Sequence, residues 1–142
     1  MKKSFAAYRQ LFVINGRLVA FSFLMTFYSS FGQTYFIGVF GPHIQAEFDL
    51  SHTLWGSIYL AGTLASALLM PFTGGLIDRF SLSSYSIAVA FGLLVACACM
   101  SLASGPVMLV VAIFLLRQSG QGLASHISIT SMARYFDRER GR

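Results

Sequence analysis

Three long stretches of this chain carry no charged residue: 18–46, 50–77 and 80–116. Each is longer than the ~20 apolar residues a helix needs to cross a hydrocarbon core of about 30 Å. Inside that core no water is available to the backbone, so a stretch of this kind has to bond its own peptide groups as a helix. Charged residues make up 11% of the chain, against about 25% in an ordinary soluble domain. The expected class is an all-α integral membrane protein.

Breakers divide the stretches into spans. Gly41-Pro42 is expected to end the first, because Pro lacks a backbone donor and disfavours helix in the residue before it. Ser104-Gly105-Pro106 divides the longest stretch in two. Four transmembrane helices result, at about 18–40, 54–77, 83–103 and 107–132. Residues 1–17 form a basic N-terminal tail, in which Leu11 to Ile14 could also lie in the interface as a short amphipathic helix. Residues 133–142 form a polar link after the last span. Ser51 or Thr53 is a plausible cap for the second helix. The first stretch is too long for a signal-peptide core of roughly 7–15 residues and lacks a small-residue cleavage site.

The net charge of +5 could suggest a nucleic-acid partner, but its distribution argues against one. Lys2, Lys3, Arg9 and Arg17 precede the first span. Arg79 lies in the second loop, and Arg134, Arg138, Arg140 and Arg142 follow the last span. The first loop and the Ser104-Gly105-Pro106 turn have no Lys or Arg. By the positive-inside rule both termini and the Asp78-Arg79 turn are cytoplasmic, in a plasma membrane of the bacterial inner-membrane kind. Cys97 and Cys99 point to different sides of one helix, so they neither bridge each other there nor make a zinc set.

Arg117 is the one charge within a span. An Arg at mid-membrane costs at least roughly 2.5–3.5 kcal/mol, so it has to face a bundle interior, a polar partner or water. Gln121, Ser125 and Ser128 follow on its face. It reads either as a cavity-facing cation for an anionic group or a proton site, or as a structural tie between helices. Gly32-Gln33-Thr34-Tyr35, with Tyr28, Ser29 and Ser30 just before, forms a second polar patch that would suit a cavity wall, and Tyr28, Gly32 and Tyr35 fall on one helical face. His126 is nine residues beyond Arg117. At ~100° per residue that puts it on the opposite face, where a packing role is the simpler reading. Small residues four apart, Gly62 with Ser66 and Gly92 with Ala88 and Ala96, mark close helix packing, and Gly120 belongs with them. No Asp or Glu lies inside a span, and no nucleophile–base pair, phosphate loop or metal cluster is present, so an enzyme is not expected.

Three segments carry a family resemblance. Gly74-Gly75-Leu76-Ile77-Asp78-Arg79 resembles the first half of the loop signature of the major facilitator superfamily of secondary transporters. The second half departs from it, since Phe80-Ser81-Leu82-Ser83-Ser84 lacks the signature's Gly and basic pair. Arg117-Gln118-Ser119-Gly120-Gln121-Gly122 is similar to that family's helix 4 motif. Ala133-Arg134-Tyr135-Phe136 through Arg138-Glu139-Arg140-Gly141 resembles its link to helix 5. The resemblance implies helices 1–4 of that fold, a small-molecule solute as partner, proton coupling among the possible modes, and no cofactor. It implies that Gly74, Asp78 and Arg79 belong to a conformational latch, and that Arg117, Gln121, Gln33 and Tyr35 line a substrate or coupling cavity. Four helices are fewer than that family's twelve, so an N-terminal portion, inactive without further helices or a second copy, is the expectation, with no latch partner for Asp78 in this chain. A complete four-helix homodimeric exporter and a non-transporting membrane subunit are the competing readings.

Overall fold

The computed structural model describes residues 2–135, all helical apart from short turns and loops. Helix α1 (Lys2–Ser29) passes through a 3-10 turn at Ser30–Gly32 into α2 (Thr34–Glu47). Helix α3 (His52–Gly74) ends in a second 3-10 turn, Gly75–Asp78, and is followed by α4 (Leu82–Ser101). Helix α5 (Pro106–Leu116) continues through a π-helical segment, Arg117–Ala124, into α6 (Ser125–Tyr135). Three of these passages are long and apolar enough to cross a membrane: His52–Asp78, Leu82–Ser101 and Pro106–Arg134.

Local chemistry explains most boundaries. The Ser51 hydroxyl accepts from the Leu54 N–H at the start of α3, and the Ser81 hydroxyl does the same for Ser84 at the start of α4. Each satisfies one of the donors a helix start leaves free. Pro106 opens α5 at the first helical position, where its missing N–H costs nothing. In the loop before α3, Asp49 adopts φ 49°, a left-handed conformation that Asp tolerates better than most residues.

The first passage differs from expectation in two ways. The helix is interrupted at Ser30–Gln33, inside the expected 18–40 span, and it then runs through Gly41-Pro42 to Glu47. Pro42 forfeits one bond, to the carbonyl of Gly38. Within a membrane bundle neighbouring groups and local adjustments offset such a loss. The break at Ser30–Gln33 has a different cause, a backbone contact with the π segment. An added Cβ on Gly32 would run into the Leu116 carbonyl oxygen and lie 2.6 Å from the Gln121 nitrogen, and one on Gly120 would lie 2.8 Å from Gly32. The two backbones touch with no side chain between them. Helix α1 is also already helical from Lys2, where a polar tail was expected. Residues 136–142, with Arg138, Arg140 and Arg142 of the polar link, lie outside the described residues.

The first and last passages run antiparallel. Ser22 and Ser131 hydroxyls lie 2.9 Å apart and those of Thr26 and Ser128 2.8 Å apart. Gly32 meets Gly120, and Ile37 packs with Leu116. Partners fall in number on one passage as they rise on the other, so α1 and α2 together trace one broken passage beside α5 and α6. The Ser128 hydroxyl also donates to the Ser22 carbonyl. Three apolar clusters stack along this axis. Ile77, Tyr85, Val89 and Ile127 form one, Ile37, Leu93, Ala96 and Leu116 the middle, and Leu50, Ile58, Leu109 and Ile113 the third. The final passage contributes to every cluster, and half of its most apolar window is buried, against 22% and 28% for the two passages before it. It is the central post of the bundle. Outward faces are apolar, with Phe72, Ile87 and Phe91 largely exposed, a surface suited to lipid rather than water.

The Gly32–Gly120 crossing predicts a sharp asymmetry. Gly120→Ala forces the Gly32 backbone away and should cost about 1–3 kcal/mol, as overpacking does. Gly38→Ala, with nothing within 4 Å of its added Cβ, should leave stability unchanged. Detergent-resistant thermal unfolding of the two variants checks this.

Candidate functional site

The π segment opens the polar half of the final passage, with Arg117, Gln118, Ser119 and Gln121 following the apolar α5. Its sequence, Arg117-Gln118-Ser119-Gly120-Gln121-Gly122-Leu123-Ala124, combines weak helix formers with side chains that have to find partners in a dry interior. Single π-bulges of this kind occur frequently at functional sites. Here the widened turn lets polar groups leave on several sides at once.

Arg117 reaches back to the broken first passage. Its Nη1 donates to the Gly32 carbonyl at 3.3 Å, to the Thr34 hydroxyl at 3.0 Å, and to the Gln121 side-chain oxygen. Its guanidinium carbon stands 5.6 Å from the Tyr59 ring centre, a cation–π contact. Tyr59 donates to the same Thr34 hydroxyl at 3.1 Å. Three passages therefore meet at this cation. The Gly32 carbonyl is available because the helix is interrupted there.

Gln118 turns to the other side. Buried at 6% exposure, it accepts from the Ser66 hydroxyl at 2.9 Å and donates to the Thr73 hydroxyl at 2.6 Å. Ser66 thus does more than pack closely. It anchors the π segment to α3. Gly62 and Gly92 serve the close approach expected of them. A Cβ on Gly62 would meet Val110 and Ile113 at 2.8–3.0 Å, and one on Gly92 would meet the Ser119 hydroxyl at 2.9 Å. Ala96 is fully buried, while Ala88 faces outward.

Arg117 and Gln121 line a groove of about 350 Å³ between α3 and the final passage. Thr63, Ser66, Ser125 and His126 share its walls. His126 was expected on the opposite face. It is not there, because a π turn takes more residues than an α turn, so each advances by less than the α-helical angle. Eight such residues swing His126 round to the side of Arg117. Gln33 and Tyr35 do not join this groove. Gln33 caps α2 with its backbone carbonyl, which accepts from Phe36 and Ile37. Tyr35 is 65% exposed. The helical face that would have joined Tyr28, Gly32 and Tyr35 is lost at the Ser30–Gln33 break. Sequence reasoning placed Thr34 in the polar patch of the first helix without assigning it to Arg117, and it did not single out Tyr59, Gln118 or Thr73. Gln118 stood next to Arg117 in the motif, and that adjacency was the available signal.

The loop signature lies at one end of the bundle. Asp78 pairs with Arg134 at the end of α6. Both side chains are largely exposed, at 72% and 42%. Gly74 is buried, with the His126 ring 3.9 Å from where a Cβ would lie. Arg79 is exposed and makes no ion pair among the described residues. The antiparallel register brings Arg17 to this same end, so Arg17, Arg79 and Arg134 gather there.

A bundle of apolar helices with a cation and a polar groove among them defines an integral membrane protein of the transporter class. The chain belongs to the major facilitator superfamily: the family model described as Major Facilitator Superfamily matches residues 12–142. Proteins of that family are secondary transporters of small solutes, not enzymes. Comparison with curated proteins and with solved structures gave no match.

The two polar anchors should differ in weight. Gln118→Ala leaves a buried hydroxyl on Ser66 without its acceptor and should cost about 1–3 kcal/mol. Asp78→Asn breaks an exposed ion pair and should cost no more than about 1 kcal/mol. Unfolding midpoints in mild detergent order the two variants.

Proposed function

We propose that this chain supplies a wall of the solute cavity of a secondary transporter that works by alternating access. The observation that carries the reading is Arg117, held in position by acceptors from the broken first passage and opening onto a polar groove within an otherwise apolar bundle. A cation placed there at a cost of several kcal/mol, among hydroxyl and amide side chains, suits solute recognition better than lipid contact. In this reading Arg117 and Gln121 face the solute from this groove, while Gln33 and Tyr35, which do not line it, belong to a part of the cavity that other helices complete. The groove is open on one side, so further helices or a second copy have to close it.

Orientation follows from charge. Arg17, Arg79 and Arg134 at one end support a cytoplasmic location for that end and both termini, in a plasma membrane of the bacterial inner-membrane kind. Gly74, Asp78 and Arg79 then form a cytoplasmic latch. The Asp78–Arg134 pair ties the end of α3 to the end of the final passage. Alternating access has to release and remake contacts at this end, and an exposed pair of small net worth suits that use.

The test is water access. Ala67 lines the groove and makes none of the polar contacts above. In a background with Cys97→Ala and Cys99→Ala, Ala67→Cys should react with a membrane-impermeant maleimide in inside-out or right-side-out vesicles. Adding Asp78→Asn should change the labelling rate from one side severalfold. A Cys at position 67 that no water-soluble reagent reaches from either side contradicts the reading.

A further inference from the structure

All three hydrogen bonds of Arg117 leave from one nitrogen, Nη1. Nη2 and Nε donate to nothing among the described residues. Those two nitrogens form one flat side of the guanidinium, with parallel donors spaced to match the two oxygens of a carboxylate. The fixed contacts hold the plane in place and leave that side uncommitted.

The rest of the groove points the same way. Among the described residues, Arg117 is the one formally charged side chain on its walls, and no carboxylate opposes it. His126 and Ser125 line the groove and make no side-chain hydrogen bond among the described residues. The Thr63 hydroxyl is buried without a partner. Ser66 and Gln121, in contrast, are spent on Gln118 and Arg117. One face of the groove is thus already paired, while a cationic side and several hydroxyl and imidazole groups are left over. Unpaired polar groups at membrane depth are costly, and a solute that satisfies them recovers that cost on binding. A space of about 350 Å³ lies at the small end of ligand sites.

Resting on the cavity reading above, we propose that this groove takes a small organic acid with one carboxylate. The carboxylate lies on the Nε/Nη2 side of Arg117, and His126 is the specificity-determining residue that meets the remainder of the solute.

The experiment uses the Ala67→Cys reporter in the full chain, in membranes, and measures protection from maleimide. The probes are three acids and their neutral amides: propionate with propionamide, lactate with lactamide, and nicotinate with nicotinamide. At least one acid is expected to slow labelling saturably while its amide does not. Arg117→Lys, which keeps the charge but loses the flat pair of donors, should weaken that protection roughly tenfold. His126→Ala should change the order of preference among the three acids. A reporter that water-soluble reagent cannot reach overturns both this inference and the cavity reading. A reachable reporter that acids and amides protect equally, or not at all, overturns the carboxylate assignment alone. An unchanged order of acids in His126→Ala overturns the role of His126.

Discussion

A guanidinium within a membrane span has to be given acceptors, and the acceptors that Arg117 finds shape the bundle. They come from a carbonyl freed by a helix break, a hydroxyl just beyond that break, and an amide on its own passage. For the first of these to be available, the first passage has to be interrupted at Ser30–Gln33. For the second to come within reach, the backbones have to approach at Gly32 and Gly120. The break, the glycine crossing and the half-buried cation are three parts of one solution. Replacing any of them with an ordinary helical residue leaves another part unsatisfied.

That crossing also sets the register of what surrounds it. On one side of it Ser22, Thr26, Ser128 and Ser131 zip α1 to α6 through hydroxyls. On the other side the contact is apolar, through Ile37, Leu93 and Leu116. The central post therefore has a polar half and an apolar half, with the π segment at the joint. Gln118 fastens this joint to α3, and Asp78–Arg134 closes the same pair of passages at the bundle's end. The Ser66–Gln118 contact at the joint is buried, and the Asp78–Arg134 pair at the end is exposed. A bundle that alternates between two states would be expected to keep the first kind and exchange the second.

Much of this was legible in the sequence. The charge-free stretches give the helical membrane class, and the three motifs in order give the family. The Ser104-Gly105-Pro106 turn, the Ser51 cap and the close approach at Gly62 and Gly92 follow from residue chemistry alone. Two features were not legible, for related reasons. Gly41-Pro42 looks like a helix end because Pro removes a backbone donor, yet the loss of that one bond does not stop α2, which runs on to Glu47. The break at Ser30–Gln33 and the π segment answer each other across a distance of some ninety positions, and no local propensity reports such a pair. Once the π segment is present, the angular count along the helix no longer holds. That is why His126 joins the groove of Arg117, whereas Tyr35 leaves the face it was expected to share because of the break at Ser30–Gln33.

The most direct test of this account is the energetic coupling between Arg117 and Thr34. A double-mutant cycle with Arg117→Lys and Thr34→Val, read as reversible unfolding in detergent, isolates the interaction from the cost of each change. If the cation is held by the broken first passage, the two changes should be non-additive by about 1 kcal/mol or more, the size expected for a hydrogen bond to a charged group. Losses that simply add would mean that Arg117 finds its acceptors elsewhere, and the crossing would no longer explain the bundle.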